Sequence, residues 1–180
     1  MSAVQGIFSS LFTHVGYIYE NSVENAKTVK KTNFYSAKLL AEALLPYFCS
    51  FASKIRILKT TSTLGTVDKV RNIKVKEILD VGEEDIEGVV NAFLEDVKRG
   101  TWKKAGWSVL RMDYTVSKLA LNTYTRVLAK RYSEYGSVSV NNFCPMTCGK
   151  GTHTTDAAAL VEARLALLPP HPLPTAQFFF

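Results

Sequence analysis

Residues 113–145 read DYTVSKLALNTYTRVLAKRYSEYGSVSVNNFCP. The stretch 113–132 predicts a helix, and 137–145, SVSVNNFCP, predicts a buried strand directly after it. Near the helix start, Tyr114 and Lys118 are four residues apart. One helical turn puts both on the same face, close enough for an ammonium to act on a phenol. Two readings are open here. The pair is chemistry, or it is two neighbours on a solvated helix face.

On either side of this helix the chain keeps alternating. Residues 22–45, SVENAKTVKKTNFYSAKLLAEALL, predict a long helix stopped near Pro46. Its buried stripe is expected to run Val29, Asn33, Ala37, Leu40, Ala41, Leu44. Asn33 would then be an amide among apolar neighbours, which costs roughly 1–3 kcal/mol unless it is hydrogen-bonded. It either ties down a loop or holds a water or carbonyl near a site. KIRILK (54–59) is a short β-branched run suited to a strand, and TTSTLG follows it. In open α/β sheets, ligands bind outside the carboxyl ends of strands, although serine and threonine are also ordinary loop residues.

Residues 67–104 are charge-rich and read as mostly helical. Within them Ile86, Val89, Val90, Phe93, Leu94 and Val97 share one face, with Gly100 as a stop. TTDAAALVEARLALL (154–168) predicts a helix capped by Thr154 or Thr155 and ended before Pro169. PPHPLP (169–174) is a tight connection, and AQFFF closes the chain as a last strand. Helix, strand, helical segment, helix, strand, helix, strand is the order of an α/β protein with parallel strands joined by right-handed crossovers.

At 180 residues the chain has room for one domain with a sizeable core. The net charge of +6 arises from basic residues interspersed with acids, so no concentrated stripe points to nucleic acid. No run is long enough to cross a bilayer, and MSAVQGIFSSLF has no basic n-region. With Cys49, Cys144 and Cys148 an odd set, a reducing cytoplasmic setting is expected. CPMTCGKGTH brings Cys144, Cys148 and His153 near one another in sequence, but the spacing matches no common zinc pattern and shows no fourth ligand.

Four features now stand in chain order: Asn33 in a helix, Ser62 after a strand, then Tyr114 and Lys118 on the next helix. This set resembles the catalytic half of a short-chain dehydrogenase/reductase, in the carbonyl-reductase-like branch that includes plant neomenthol dehydrogenases and salutaridine reductases. KTNFYSAKLLAEALLP is similar to the family helix carrying an active-site Asn, and TTSTLG stands where the family has its serine segment. YTVSKLALNTYTRVLAK is similar to the Tyr-x-x-x-Lys helix, and RLALLP followed by FFF resembles the branch's last segment. The long stretch between Ser62 and Tyr114, with FLEDVKRG and GW, is the mark of this branch. The resemblance implies the C-terminal part of a Rossmann-like doubly wound parallel sheet, about three strands with flanking helices. It also implies a single incomplete domain over 1–180, with a helical insertion at 66–108 covering the substrate pocket.

By that resemblance, Asn33, Ser62, Tyr114 and Lys118 are the catalytic residues, and Tyr114, Lys118 and Pro145 contact NADP(H). The implied reaction reduces a ketone or aldehyde to an alcohol. A free phenol has a pKa near 10, and an adjacent ammonium favours its ionised form, which makes Tyr114 a workable acid. Ser62 would hydrogen-bond the carbonyl oxygen, Lys118 would hold the nicotinamide ribose hydroxyls, and Asn33 would seat a water in the proton relay. The implied partner is a small carbonyl or alcohol substrate, with no nucleic acid and no membrane, and the branch tends to be monomeric.

The chain also departs from the family pattern. The first strands and the Gly-x-x-x-Gly-x-Gly turn that cradles a cofactor pyrophosphate are missing from this sequence, so NADP(H) binding is expected to be weak or absent. Lys59 puts a charge near the end of a buried strand, and Met146 replaces a glycine. Without central strands, the edge of strand 54–60 is expected to invite aggregation or pairing with another chain. The alternative reading is therefore a catalytically inactive paralogue that acts, if at all, as a partner-binding protein.

Overall fold

The computed structural model of the protein describes residues 22–51, 54–67, 83–107, 112–135, 137–147, 153–167 and 174–180. Several sequence expectations lie outside these residues: the N-terminal stretch 1–21, the helical reading of 68–82, Cys148, and most of the 169–174 connection.

The elements are helix α1 (Val23–Lys30), a π-helical turn (Lys31–Tyr35), α2 (Ser36–Phe51), strand β1 (Ile55–Thr60) and a 3-10 turn (Thr63–Gly65). After these come α3 (Glu83–Lys98), α4 (Met112–Arg131), a 3-10 turn (Ser133–Tyr135), β2 (Val138–Phe143), α5 (Thr155–Ala166) and β3 (Phe178–Phe179). The three strands form one parallel sheet in the order β1-β2-β3. This is the α/β alternation that the sequence predicts, with strand bounds displaced by a residue or two.

The chain divides into two compact units. The first contains 41–62 and 125–180 and holds the whole sheet. Here β1 and β2 run in register from Ile55↔Val138 to Thr60↔Phe143, and β2 meets β3 at Asn142↔Phe178. Every residue of β2 is buried, as expected of a central strand covered on both faces. Leu58, Phe143 and Ala158 make a core with Val161, Leu165 and Phe179, so α5 packs on β1. Thr154 caps α5 by accepting from the Ala157 amide at 3.2 Å. The polar residues of β2 find partners close by. Asn141 donates to Ser139 and to the Pro174 carbonyl and accepts from the Gln177 amide, tying the last segment to the sheet. No strand among the described residues pairs with the outer edge of β1.

Of the described residues, the second unit contains 22–40, 63–67, 83–107 and 112–124. Ala26 of α1, Val89, Phe93 and Val97 of α3, Trp107, and Met112, Val116 and Leu119 of α4 form its core. Ile86, Val89, Val90, Phe93 and Val97 of α3 are all buried, the face expected from their spacing. Gly100, at φ +67°, ends α3. Its amide bonds the Val97 carbonyl and the Thr101 amide bonds that of Asp96, a Schellman arrangement. The motif FLEDVKRG…GW has a structural use here. The Asp96 carboxylate accepts from Trp107 Nε1 and from Thr101 Oγ1, each at 2.8 Å, and Trp107 packs edge-on against Phe93.

Two expectations about the first long helix are corrected. The stripe Val29, Asn33, Ala37, Leu40, Ala41, Leu44 is not the buried one. Val29 is buried, but Phe34 and Leu45 are buried after it, while Leu40 is 44% exposed. The reason is the π-helical turn: the Ser36 amide reaches back five residues to the Lys31 carbonyl, so one extra residue enters the turn. Every later position then moves on by one around the axis. Phe34 takes the inward place and packs edge-on against Tyr124. Nor does the helix stop at Pro46, which lies inside α2. Pro46 is exposed, so water reaches the turn that loses a backbone donor, and Ser50 Oγ donates to the Pro46 carbonyl at 3.0 Å.

Among the described residues, no helix is long and apolar enough to cross a membrane.

Candidate active site

The first turns of α4 carry Tyr114 and Lys118 in the second unit. This is no surface helix: Met112, Thr115, Val116, Ser117, Leu119, Ala120, Leu121, Thr123 and Tyr124 are all buried. Tyr114 and Lys118 are partly buried, and the Lys118 ammonium lies 5.5 Å from the centre of the Tyr114 ring. The pair thus lies on a helix whose neighbouring positions are buried, with both of its own side chains part-exposed.

Asn33 reaches the same place from the π-helical turn. Its Nδ2 donates to Ser117 Oγ at 3.1 Å, and Ser117 Oγ donates to the Tyr114 carbonyl at 2.8 Å. Ser117 is 2% exposed, so this hydroxyl is a buried joint between the two segments. The expectation that Asn33 must be hydrogen-bonded is met, with a side chain as partner. Ser117 is not among the site residues that the sequence singles out; its place between Tyr114 and Lys118 in YTVSK is the only signal for it. Lys30 and Lys38 flank the π-helical turn and both reach α3. Lys30 donates to Asn91 Oδ1 at 2.9 Å, and Lys38 pairs with Glu87 at 2.7 Å. Burial pulls the Lys30 ammonium below the usual lysine range.

Asp113 opens α4 beside Tyr114. Its Oδ1 is buried and has no hydrogen-bond partner among the described residues. Burial of the carboxylate pushes its pKa up to about 6.

Ser62 and Pro145 belong to the first unit, each two residues past the end of a strand. Thr60 and Phe143 are register partners, and the Thr61 amide donates to the Phe143 carbonyl at 2.8 Å, so the two chains leave the same carboxyl edge together. Ser62 is buried. Lys59 is buried too, at 4% exposure. Met146 takes a left-handed φ of +54°, a conformation that favours glycine, so a side chain at this position carries backbone strain. The structure thus gathers Asn33, Tyr114 and Lys118 in one unit, and Ser62 and Pro145 at one sheet edge in the other.

For a nicotinamide dinucleotide, each unit taken by itself carries residues of suitable chemistry. Lys118 is a partly buried cation beside a phenol, suited to ribose hydroxyls, and Ser62 and Pro145 stand at the carboxyl edge of parallel strands, where such ligands bind. The sequence has no glycine-rich turn to take the pyrophosphate.

No family model matches the sequence, but individual proteins do. The chain is 33% identical over 162 residues to short-chain dehydrogenase/reductase 1 of Saponaria officinalis, covering 84% of this chain and 52% of that protein. It is 36% identical over 159 residues to (+)-neomenthol dehydrogenase of Arabidopsis thaliana, covering 83% and 52%. The solved structure of salutaridine reductase from Papaver somniferum superposes with a TM-score of 0.78 at 33% identity, over 88% of this chain and 55% of that one. The chain spans about half the length of the curated relatives it matches.

Proposed function

Over the part it shares with these relatives the chain belongs to the short-chain dehydrogenase/reductase family, and on that premise we propose that it serves NADPH-dependent reduction of a ketone or aldehyde to an alcohol. The observation that carries the reading is the buried start of α4, where Lys118 lies 5.5 Å from the Tyr114 ring and Asn33 bonds the serine between them. NADPH, when bound, supplies the hydride that goes to the carbonyl carbon. The oxygen becomes negative and takes the phenolic proton of Tyr114, leaving a phenolate that the Lys118 ammonium stabilises. The family resemblance assigns Ser62 the hydrogen bond to that oxygen as its charge develops, which would lower the barrier. Asn33 helps hold the water chain that returns a proton to Tyr114. Tyr114, Lys118 and Pro145 are the residues that would contact the cofactor.

The test follows NADPH absorbance with menthone-type or small aromatic ketones as substrates, at high NADPH because the sequence has no pyrophosphate turn. Tyr114→Phe is expected to lower the rate by roughly 10²–10⁴-fold, the usual contribution of a positioned general acid. A rate that survives the change overturns the assignment.

A second reading, a non-catalytic partner-binding protein, is supported by the outer edge of β1, which no described strand covers. Light scattering discriminates: a monomer at high concentration that also reduces ketones counts against it.

A further inference from the structure

The 3-10 turn Thr63–Gly65, which follows Ser62 directly, meets α4 in an unusual way. A Cβ built on Gly65 would lie 2.4 Å from the carbonyl carbon of Lys118, 2.6 Å from the Leu119 nitrogen and 2.7 Å from the Lys118 Cβ. Two of these three atoms are backbone, in a helix buried on most sides, so they cannot swing away as the tip of a flexible chain would. Glycine is needed here for space. One helical turn beyond Lys118, on the same face, Asn122 donates from Nδ2 to the Gly65 carbonyl at 2.9 Å. Thr66 closes the turn behind, its hydroxyl donating to the Thr63 carbonyl at 2.7 Å. The turn is thus seated on Lys118 and latched by Asn122.

We propose that Gly65 and Asn122 are positioning residues for Lys118: the turn presses on the Lys118 backbone and Cβ and so sets the direction in which the ammonium leaves the helix toward Tyr114. The proposal rests on reading Lys118 as a member of the site. Three facts lead to it. The turn comes so close to the Lys118 backbone and Cβ that a single added carbon would meet them at 2.4–2.7 Å, so the space beside the root of the side chain is filled. The latch comes from the residue four positions on, so a shift of the turn moves along the lysine's own face. Seen from the turn, Lys118 has a hard floor and not a soft neighbour.

The test reads lysine chemistry in the full chain, so that it does not depend on reductase activity. Acetylation by acetic anhydride is followed by peptide mass spectrometry at Lys118, with the exposed Lys98 of α3 as internal reference. Asn122→Leu is expected to change the Lys118 rate relative to Lys98 by up to about fivefold, the population shift that the ~1 kcal/mol of one neutral hydrogen bond allows, and Gly65→Ala by more. Asn122→Gln, which keeps a donor, is expected to recover part of the change. Should Gly65→Ala not fold, Asn122→Leu and its Gln rescue decide alone. An unchanged Lys118 rate in folded Asn122→Leu overturns the proposal, as does a parallel change at Lys98. If Lys118 reactivity moves while no ketone is ever reduced, the positioning role stands and the proposed reductase function falls. A working reductase whose Lys118 rate ignores both substitutions keeps its function and overturns the positioning role.

Discussion

Asn33 and Ser117 are 84 positions apart in the chain, and the Asn33 amide donates to the Ser117 hydroxyl at 3.1 Å. That one bond joins the π-helical turn to α4, because the same hydroxyl donates to the Tyr114 carbonyl. Losing either partner leaves a polar group short of a bond in a largely dry place. A double-mutant cycle of Asn33→Ala and Ser117→Ala in urea is expected to give a coupling of about 0.5–1.5 kcal/mol, with each single change destabilising. Strict additivity of the two changes would show that the bond contributes nothing.

Asp113 makes the stability of the fold depend on pH. Its pKa rises from 3.8 to about 6 because burial penalises the carboxylate. Below 3.8 the carboxyl is protonated in both folded and unfolded chains, and the group is neutral toward stability. Between 3.8 and about 6 the unfolded chain releases the proton while the folded chain still holds it, so stability falls as pH rises. Above about 6 the full burden is present. Asp113→Asn is therefore expected to melt at a higher temperature than the parent at about pH 7.5, and at about the same temperature near pH 3.5. An advantage that is independent of pH would refute this account. The carboxylate is only about half buried, so the gain is expected to be modest.

Met146 sits at φ +54°, and a left-handed conformation costs a side-chain-bearing residue roughly 1–2 kcal/mol. Glycine removes that strain and restores chain entropy to the unfolded state, so the two effects partly cancel. Met146→Gly is expected to raise the urea midpoint, by up to about 1 kcal/mol in stability, with an unchanged slope. A lowered midpoint would mean that the Met146 contact with Cys144, at 3.5 Å between the sulfurs, outweighs the strain.

Much of the fold is legible in the sequence because its signals are local. β1 and β2 follow from β-branched runs, α3 from a 3.6-residue apolar period, its end from Gly100, and the start of α5 from Thr154. The failures share a cause as well. Periodicity assumes a constant number of residues per turn, and the π-helical turn at Lys31–Tyr35 breaks that assumption at the place where Asn33 stands, moving Phe34 and Leu45 inward. Pro46 reads as a stop because a lost backbone hydrogen bond is counted without knowing that the turn is exposed to water. Tyr114, Lys118, Asn33 and Ser62 can be picked out by type and order, whereas Ser117, Gly65 and Asn122 cannot. Their importance lies in contacts with residues 84 or 57 positions away.

The alternation of helix and strand, the capping residues, and the one-turn spacing of Tyr114 and Lys118 follow from residue order, since each depends only on neighbours along the chain. Three other properties arise only on folding: α4 is buried, Asn33 reaches it through Ser117, and Gly65 has no room for a side chain. These depend on segments far apart in sequence being pressed together at close-packed density, where a single added carbon or a missing donor is felt.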